Sequence, residues 1–149
     1  MLQMTQRHYA PRATSEVYTI GHGLQVKPSI IREAGMGLFC TQAFKRNSYI
    51  TFYDGETITR EQALERRSRG KDTHIRSVGL MGDCIDGYTG STVKTGCGGA
   101  SLANDGLSPA KNNCRLENNN GVTWLRANRD ISSGEELLCS YGKLYWRCK

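Results

Sequence analysis

Apolar and polar residues alternate over short runs of the chain: LQVKPSII (24–31), GLFCTQAF (37–44), YITFYDGE (49–56), HIRSVGLM (74–81), VTWLRANRDI (122–131) and ELLCSY (136–141). A period of two over such lengths, bounded by Gly, Asn and Asp, predicts strands with one face turned to a core. One segment breaks the pattern. TREQALERRSRG (59–70) opens on Thr59 with Gln62 three residues later, a capping-box arrangement, and closes on Gly70, so a single helix is predicted there. LENNNG (116–121) predicts a polar hairpin turn. GASLANDG (99–106) reads as a small-residue strand ending on an Asn-Asp pair, both of which favour turns. The pattern therefore predicts a mainly β domain with one short helical insert, without βαβ alternation.

A chain of 149 residues that is 38% hydrophobic and 23% charged suits one compact domain with a real core. No apolar run is long enough for a membrane-spanning helix, so no membrane partner is expected. The opening MLQMTQRHYAPRATSEVY lacks the apolar stretch of a secretory signal. The expectation is an extension over residues 1–23, a domain over 24–149, and a nuclear or cytoplasmic location.

Twenty Lys and Arg against fourteen Asp and Glu leave a net charge of +6. The densest basic stretch, Arg60 to Arg76, is diluted by Glu61, Glu65 and Asp72 and reads as a solvated face before a binding patch. Cys40, Cys84, Cys97, Cys114, Cys139 and Cys148 show no C-x-x-C spacing and no completing His pair, so no metal is expected. Free, buried thiols are the expected state.

Three stretches carry candidate chemistry. EAGMGLF (33–39) places Gly35 and Gly37 around one residue, and without Cβ atoms they let a ligand approach the backbone. Cys40 stands where a dinucleotide fingerprint needs its third glycine, and no helix is predicted to follow, which disfavours that reading. By itself the stretch is a bulge or tight turn. SYITFYDGE (48–56) ends a strand on Tyr53-Asp54-Gly55, and RDISSGEELLCSYGKLYW (129–146) runs from a polar turn into Tyr141-Gly142 and two closing aromatics.

Taken in order, Gly-x-Gly-Leu-Phe, Tyr-x-Gly-Glu, Ile-Asp-Gly (85–87), Asn104 after small residues, and Gly-Glu-Glu-Leu-x-x-x-Tyr-Gly resemble the SET-domain protein lysine methyltransferases. The resemblance runs from about Leu24 to Trp146. It implies the SET-domain fold, with several small curved sheets and a knot-like C-terminal segment. It also implies S-adenosylmethionine as cofactor, bound by Ala34, Gly35, Met36 and Gly37 together with Asn104 and Asp105, which fall on the family's Asn-His pair.

Tyr141 matches the family's catalytic tyrosine, and Tyr53 a tyrosine of the lysine channel. Cys139 occupies a channel position that is usually Phe or Tyr, and Ser140 replaces an Asp. Asp105 replaces a His and brings a negative charge toward a cationic cofactor. No zinc-bearing flanking modules are expected from these 149 residues, and the resemblance leaves Tyr145 and Trp146 as candidates to cover the adenine. His74 loosely matches a cofactor-contacting tyrosine.

The resemblance implies methyl transfer to a protein lysine, with a histone tail as one candidate substrate, no required contact with nucleic acid, and room for a homodimer. Asp54, Glu56, Asp83 and Asp86 are candidates for an acidic groove facing a basic tail. Two alternatives compete with an enzyme. One is a catalytically weak SET-like module that binds peptide or cofactor, suggested by Asp105, Cys139 and Ser140. The other is a basic β-rich nucleic-acid binder using Arg60–Arg76.

Overall fold

A computed structural model describes residues 18–53, 56–70, 75–77, 84–86 and 99–141. Among the described residues, nine short strands form three antiparallel three-stranded sheets, with one α-helix between two strands of the third. The first sheet orders β1 (Tyr18–Gly21), β2 (Leu24–Pro28) and β3 (Met36–Cys40) side by side. β1 lies ahead of Leu24, inside the span expected as an extension, and its Tyr18 pairs with Val26.

The second sheet orders β4 (Tyr49–Phe52), β9 (Val122–Ala127) and β8 (Cys114–Asn119). The third orders β5 (Glu56–Ile58), β7 (Cys84–Asp86) and β6 (Ile75–Ser77).

Alternation decides which strand faces enter the core. On β2 Leu24 and Val26 are buried, and on β9 Thr123, Leu125 and Ala127 are buried, each separated by a more exposed residue. β3 departs from alternation, with Gly37 to Cys40 all buried. Its second edge is covered, since Leu137 N donates to Leu38 O at 2.7 Å and Cys40 N to Glu135 O at 3.0 Å.

Leu24, Val26, Leu38, Leu125, Ile131 and Leu137 form the centre of one apolar cluster that joins the first two sheets. Burying each of these side chains favours the fold by about 1.5–3 kcal/mol before chain entropy is set against it.

The helix α1 (Arg60–Ser68) forms where the sequence places it. Gln62 N donates to Thr59 Oγ1 at 3.1 Å and Thr59 N donates to the Gln62 side chain at 2.8 Å, completing the box. Arg69 pairs with Glu65 at 2.7 Å one turn away, and no residue of α1 is buried. The basic stretch on α1 is thus a solvated face.

The turn expected over 116–121 is narrower in the structure. β8 continues to Asn119, and only Asn120 (φ 51°) and Gly121 (φ 79°) turn the chain, the left-handed pair that a two-residue hairpin requires.

Two expected strands take other forms. Ala100–Leu102 is a 3-10 turn entered from Gly99 at φ 100°. Residues 136–141 make single bridges: Glu136 opposite Phe39, Leu138 beside Asn104, and Cys139 beside Cys114. The segment lies between partners of opposite direction and passes from one to the next before a ladder can extend. Among the described residues, no helix is long and apolar enough to cross a membrane. Cys40, Cys84, Cys114 and Cys139 are free and buried, while Cys97 and Cys148 lie outside the described residues.

Candidate active site

Three segments meet at the bridged stretch 136–141: the loop 29–37, the turn 103–107, and the stretch itself. The loop is tight because Ser29 N donates to Gly35 O at 2.8 Å and Ala34 N to Ile31 O at 3.1 Å. Closing it requires left-handed backbone at Glu33 (φ 63°) and Gly35 (φ 76°). Ala34 is buried, Met36 is half-buried and Gly35 is exposed, so bare backbone at Gly35 reaches the surface. At Gly37 a Cβ would run into the Glu136 carboxylate and come within 3.2 Å of Asn104 Nδ2. The glycine is there for space.

Glu136, 4% exposed, organises this joint. Its Oε1 accepts from Ser29 Oγ at 2.7 Å and from Asn104 Nδ2 at 3.3 Å, and its Oε2 accepts from Ile30 N at 2.8 Å. Asn104 Nδ2 also donates to Met36 O at 3.0 Å. Two acceptors facing one end of the Asn104 amide fix that end as nitrogen, and therefore fix where its oxygen points.

Asn113, 2% exposed, locks the same stretch from the other side. It donates from Nδ2 to Glu136 O at 2.8 Å and accepts Leu138 N on Oδ1 at 2.9 Å. Neither Glu136 nor Asn113 was assigned a role from sequence. The only sequence signal was that Glu136 lies within Gly-Glu-Glu-Leu.

The other glutamate of that pair behaves differently. Glu135 takes a two-pronged contact from Arg129, at 2.8 and 3.2 Å, and accepts Ser132 N at 2.7 Å. Hydrogen bonding from Arg129 holds its carboxyl below the usual value and raises the guanidinium's own. It staples the surface turn that leads into the site.

Tyr141 is half-buried and its hydroxyl donates to Ala103 O at 3.0 Å, immediately before Asn104. Tyr53, 6% exposed and immediately after β4, belongs to the apolar cluster against which Tyr141 packs. Cys139 is also in that cluster, and its N–H donates to Asn104 O at 2.9 Å.

Two thiols nearby are held in their protonated form. Burial, then the neighbouring Cys139 and Cys40, push Cys114 far above the normal thiol range. Burial also raises Cys40, whose Sγ donates to Ser132 O at 3.0 Å. Neither of these two is poised as a thiolate nucleophile.

The expected charge problem at Asp105 takes another form. Its carboxylate is 6% exposed, accepting Leu107 N on Oδ1 at 2.7 Å and Tyr141 N on Oδ2 at 2.9 Å. Hydrogen bonds from two backbone donors offset its desolvation.

The structure thus brings Ala34, Gly35, Met36, Gly37, Asn104, Asp105, Cys139 and Tyr141 into one region, with Tyr53 in the adjoining cluster. Tyr145, Trp146, His74, Asp54 and Asp83 lie outside the described residues. Glu56 and Asp86 are backbone register partners in the β5–β7 pair.

Small antiparallel sheets around a central bridged segment, with a glycine loop and a tyrosine joined through the turn 103–105, define a SET-type domain. The SET domain family model matches residues 35–142, and the chain belongs to that family.

The chain is 29% identical over 134 residues to an N-lysine methyltransferase, KMT5A-A, of zebrafish (Danio rerio), a match covering 83% of this chain and 36% of that protein. It therefore spans about a third of that relative's length. Among solved structures it is similar to the methyltransferase domain of human PR domain-containing protein 2, with TM-score 0.60 and 18% identity, covering 81% of this chain and 78% of that one. It is also similar to a chain of an active polycomb repressive complex 2 in the basal state, with TM-score 0.65 and 21% identity, covering 83% of this chain and 16% of that one.

Proposed function

We propose that this chain transfers a methyl group from S-adenosylmethionine to the side-chain amine of a protein lysine. The observation that carries the reading is the joint at residues 103–104. Ala103 O holds the Tyr141 hydroxyl, while Asn104 Nδ2 holds Met36 O in the glycine loop. Two adjacent residues thereby link a candidate cofactor seat to a candidate catalytic group. The named lysine methyltransferase among the relatives supports the same substrate class.

The residues fit the cofactor on two structural grounds. Gly35 offers exposed backbone with no side chain of its own, and Asn104 has its amide oxygen set by the two acceptors at its nitrogen. That oxygen and the loop carbonyls suit an ammonium group, and loop N–H groups suit a carboxylate. When bound, S-adenosylmethionine supplies an electrophilic methyl on a sulfonium.

Tyr141 commits its hydroxyl proton to Ala103 O, so toward a substrate amine its oxygen acts as an acceptor. Accepting an N–H there orients the amine lone pair away from the phenol. A free lysine has a pKa near ~10.4, and an apolar channel disfavours its charged form. The buried aromatic wall at Tyr53 contributes to such a channel.

Cys139 is smaller than the aromatic usual at this position, and on this reading the narrower side chain permits higher methylation states. Strictly monomethylated product, or a Cys139→Phe variant with unchanged product by mass spectrometry, contradicts that part. A histone tail is the first substrate to test, and the nucleus or cytoplasm is the setting the reading implies.

The experiment is transfer of labelled methyl from S-adenosylmethionine to core histones and lysine peptide arrays, with Tyr141→Phe alongside. Label on lysine that the variant loses supports the reading. Cofactor binding without transfer identifies a binding module, and salt-sensitive nucleic-acid binding without cofactor binding identifies the nucleic-acid reading.

A further inference from the structure

The side chain of Asp105 has a use that its position in a turn does not explain. An Asp in a turn commonly accepts the N–H two residues on, and Oδ1 does so with Leu107 N at 2.7 Å. That bond is local and accounts for one oxygen. The second oxygen reaches 36 positions along the chain to Tyr141 N, at 2.9 Å.

Tyr141 is consequently held at both ends by one turn. Its backbone N–H is on Asp105 Oδ2 and its hydroxyl is on Ala103 O at 3.0 Å. Between them Cys139 N donates to Asn104 O at 2.9 Å, so residues 103, 104 and 105 each take one bond from the 139–141 stretch. These bonds hold different parts of the tyrosine. Ala103 fixes the far end of the ring, and the direction from backbone to ring is set at the near end.

We infer that Asp105 is a positioning residue for Tyr141, its carboxylate fixing the backbone from which the phenol is aimed. The inference rests on the transferase reading for its consequence, though the tether itself does not. Asp105 touches no reacting atom in this role. Its charge faces two N–H groups, and a charge-assisted bond to a backbone donor is stronger than a neutral one. A small displacement of a group that orients an amine for in-line attack carries a large rate cost, ~100-fold for about 1 Å.

Asp105→Asn is the discriminating variant, because it keeps the shape and one acceptor oxygen. The local bond to Leu107 N takes that oxygen, and the new NH2 then faces Tyr141 N–H, donor against donor. Two readouts separate a tether from general support. Amide hydrogen exchange should accelerate at Tyr141 by about tenfold or more, while Leu138 and Cys139, held by Asn113 Oδ1 and Asn104 O, keep their protection.

Steady-state transfer should show kcat reduced by about tenfold or more with the KM for S-adenosylmethionine changed less than ~3-fold. Unchanged Tyr141 protection, or equal loss of protection at all three amides, overturns the inference. So does an unchanged kcat in a variant whose Tyr141 amide is exposed. If the wild-type chain transfers no methyl, the transferase reading fails, and the exchange pattern alone decides whether the tether exists.

Discussion

Glu136 and Gly37 are matched in volume: the carboxylate occupies the space where any Cβ on residue 37 would sit. That carboxylate also holds Ser29, Ile30 and Asn104, so the glycine preserves a joint among three segments separated by up to 107 positions. The loop that offers bare backbone and the asparagine that faces it are thereby set by one buried acid.

Gly37→Ala should therefore be far costlier than its single methyl suggests. Displacing Glu136 is an overpacking change of about 1–3 kcal/mol, read as a lower midpoint in chemical denaturation, with S-adenosylmethionine affinity falling about tenfold or more. Gly70→Ala is the contrast. Its φ of +70° costs the variant about 1 kcal/mol, but open space surrounds it, and cofactor affinity should not change.

The Arg129–Glu135 pair gives a pH signature. A carboxyl whose folded pKa lies below its unfolded one stabilises the fold above the ordinary value of 4.5, and that contribution is lost as pH falls through the depressed value. Glu135→Gln should lower stability at neutral pH by about 0.5–1 kcal/mol, discounted because the pair is partly exposed. Denaturation midpoints of the two proteins should converge below the ordinary carboxylate range. A difference that persists in acid would assign the effect to the neutral hydrogen bonds alone.

Much of the architecture was legible because it depends on neighbouring residues. Thr59 and Gln62 announce α1, Asn120-Gly121 turns the chain, and alternation on β2 and β9 names the buried face. Residues 136–141 read as a strand from their apolar character, but they pair one residue at a time with partners on both sides.

The site was legible only in part. Glycines 35 and 37 declare close approach, yet what approaches Gly37 is Glu136, about a hundred residues away. Asn113 gives no local sign that it binds both Glu136 O and Leu138 N. Asp105 looks like an unwelcome charge until its partners are known, because a side chain's charge is visible in sequence and its hydrogen bonds are not.

The seat for S-adenosylmethionine between residues 34–37 and Asn104 is the claim on which the proposed chemistry stands. Its most direct measurement is calorimetric titration of the cofactor into wild-type protein, Asn104→Ala and Tyr141→Phe. Wild type and Tyr141→Phe should bind with affinities within about threefold, while Asn104→Ala should weaken at least ~10-fold through loss of a hydrogen bond to a charged group. No binding to the wild-type chain, or full affinity in Asn104→Ala, would contradict it.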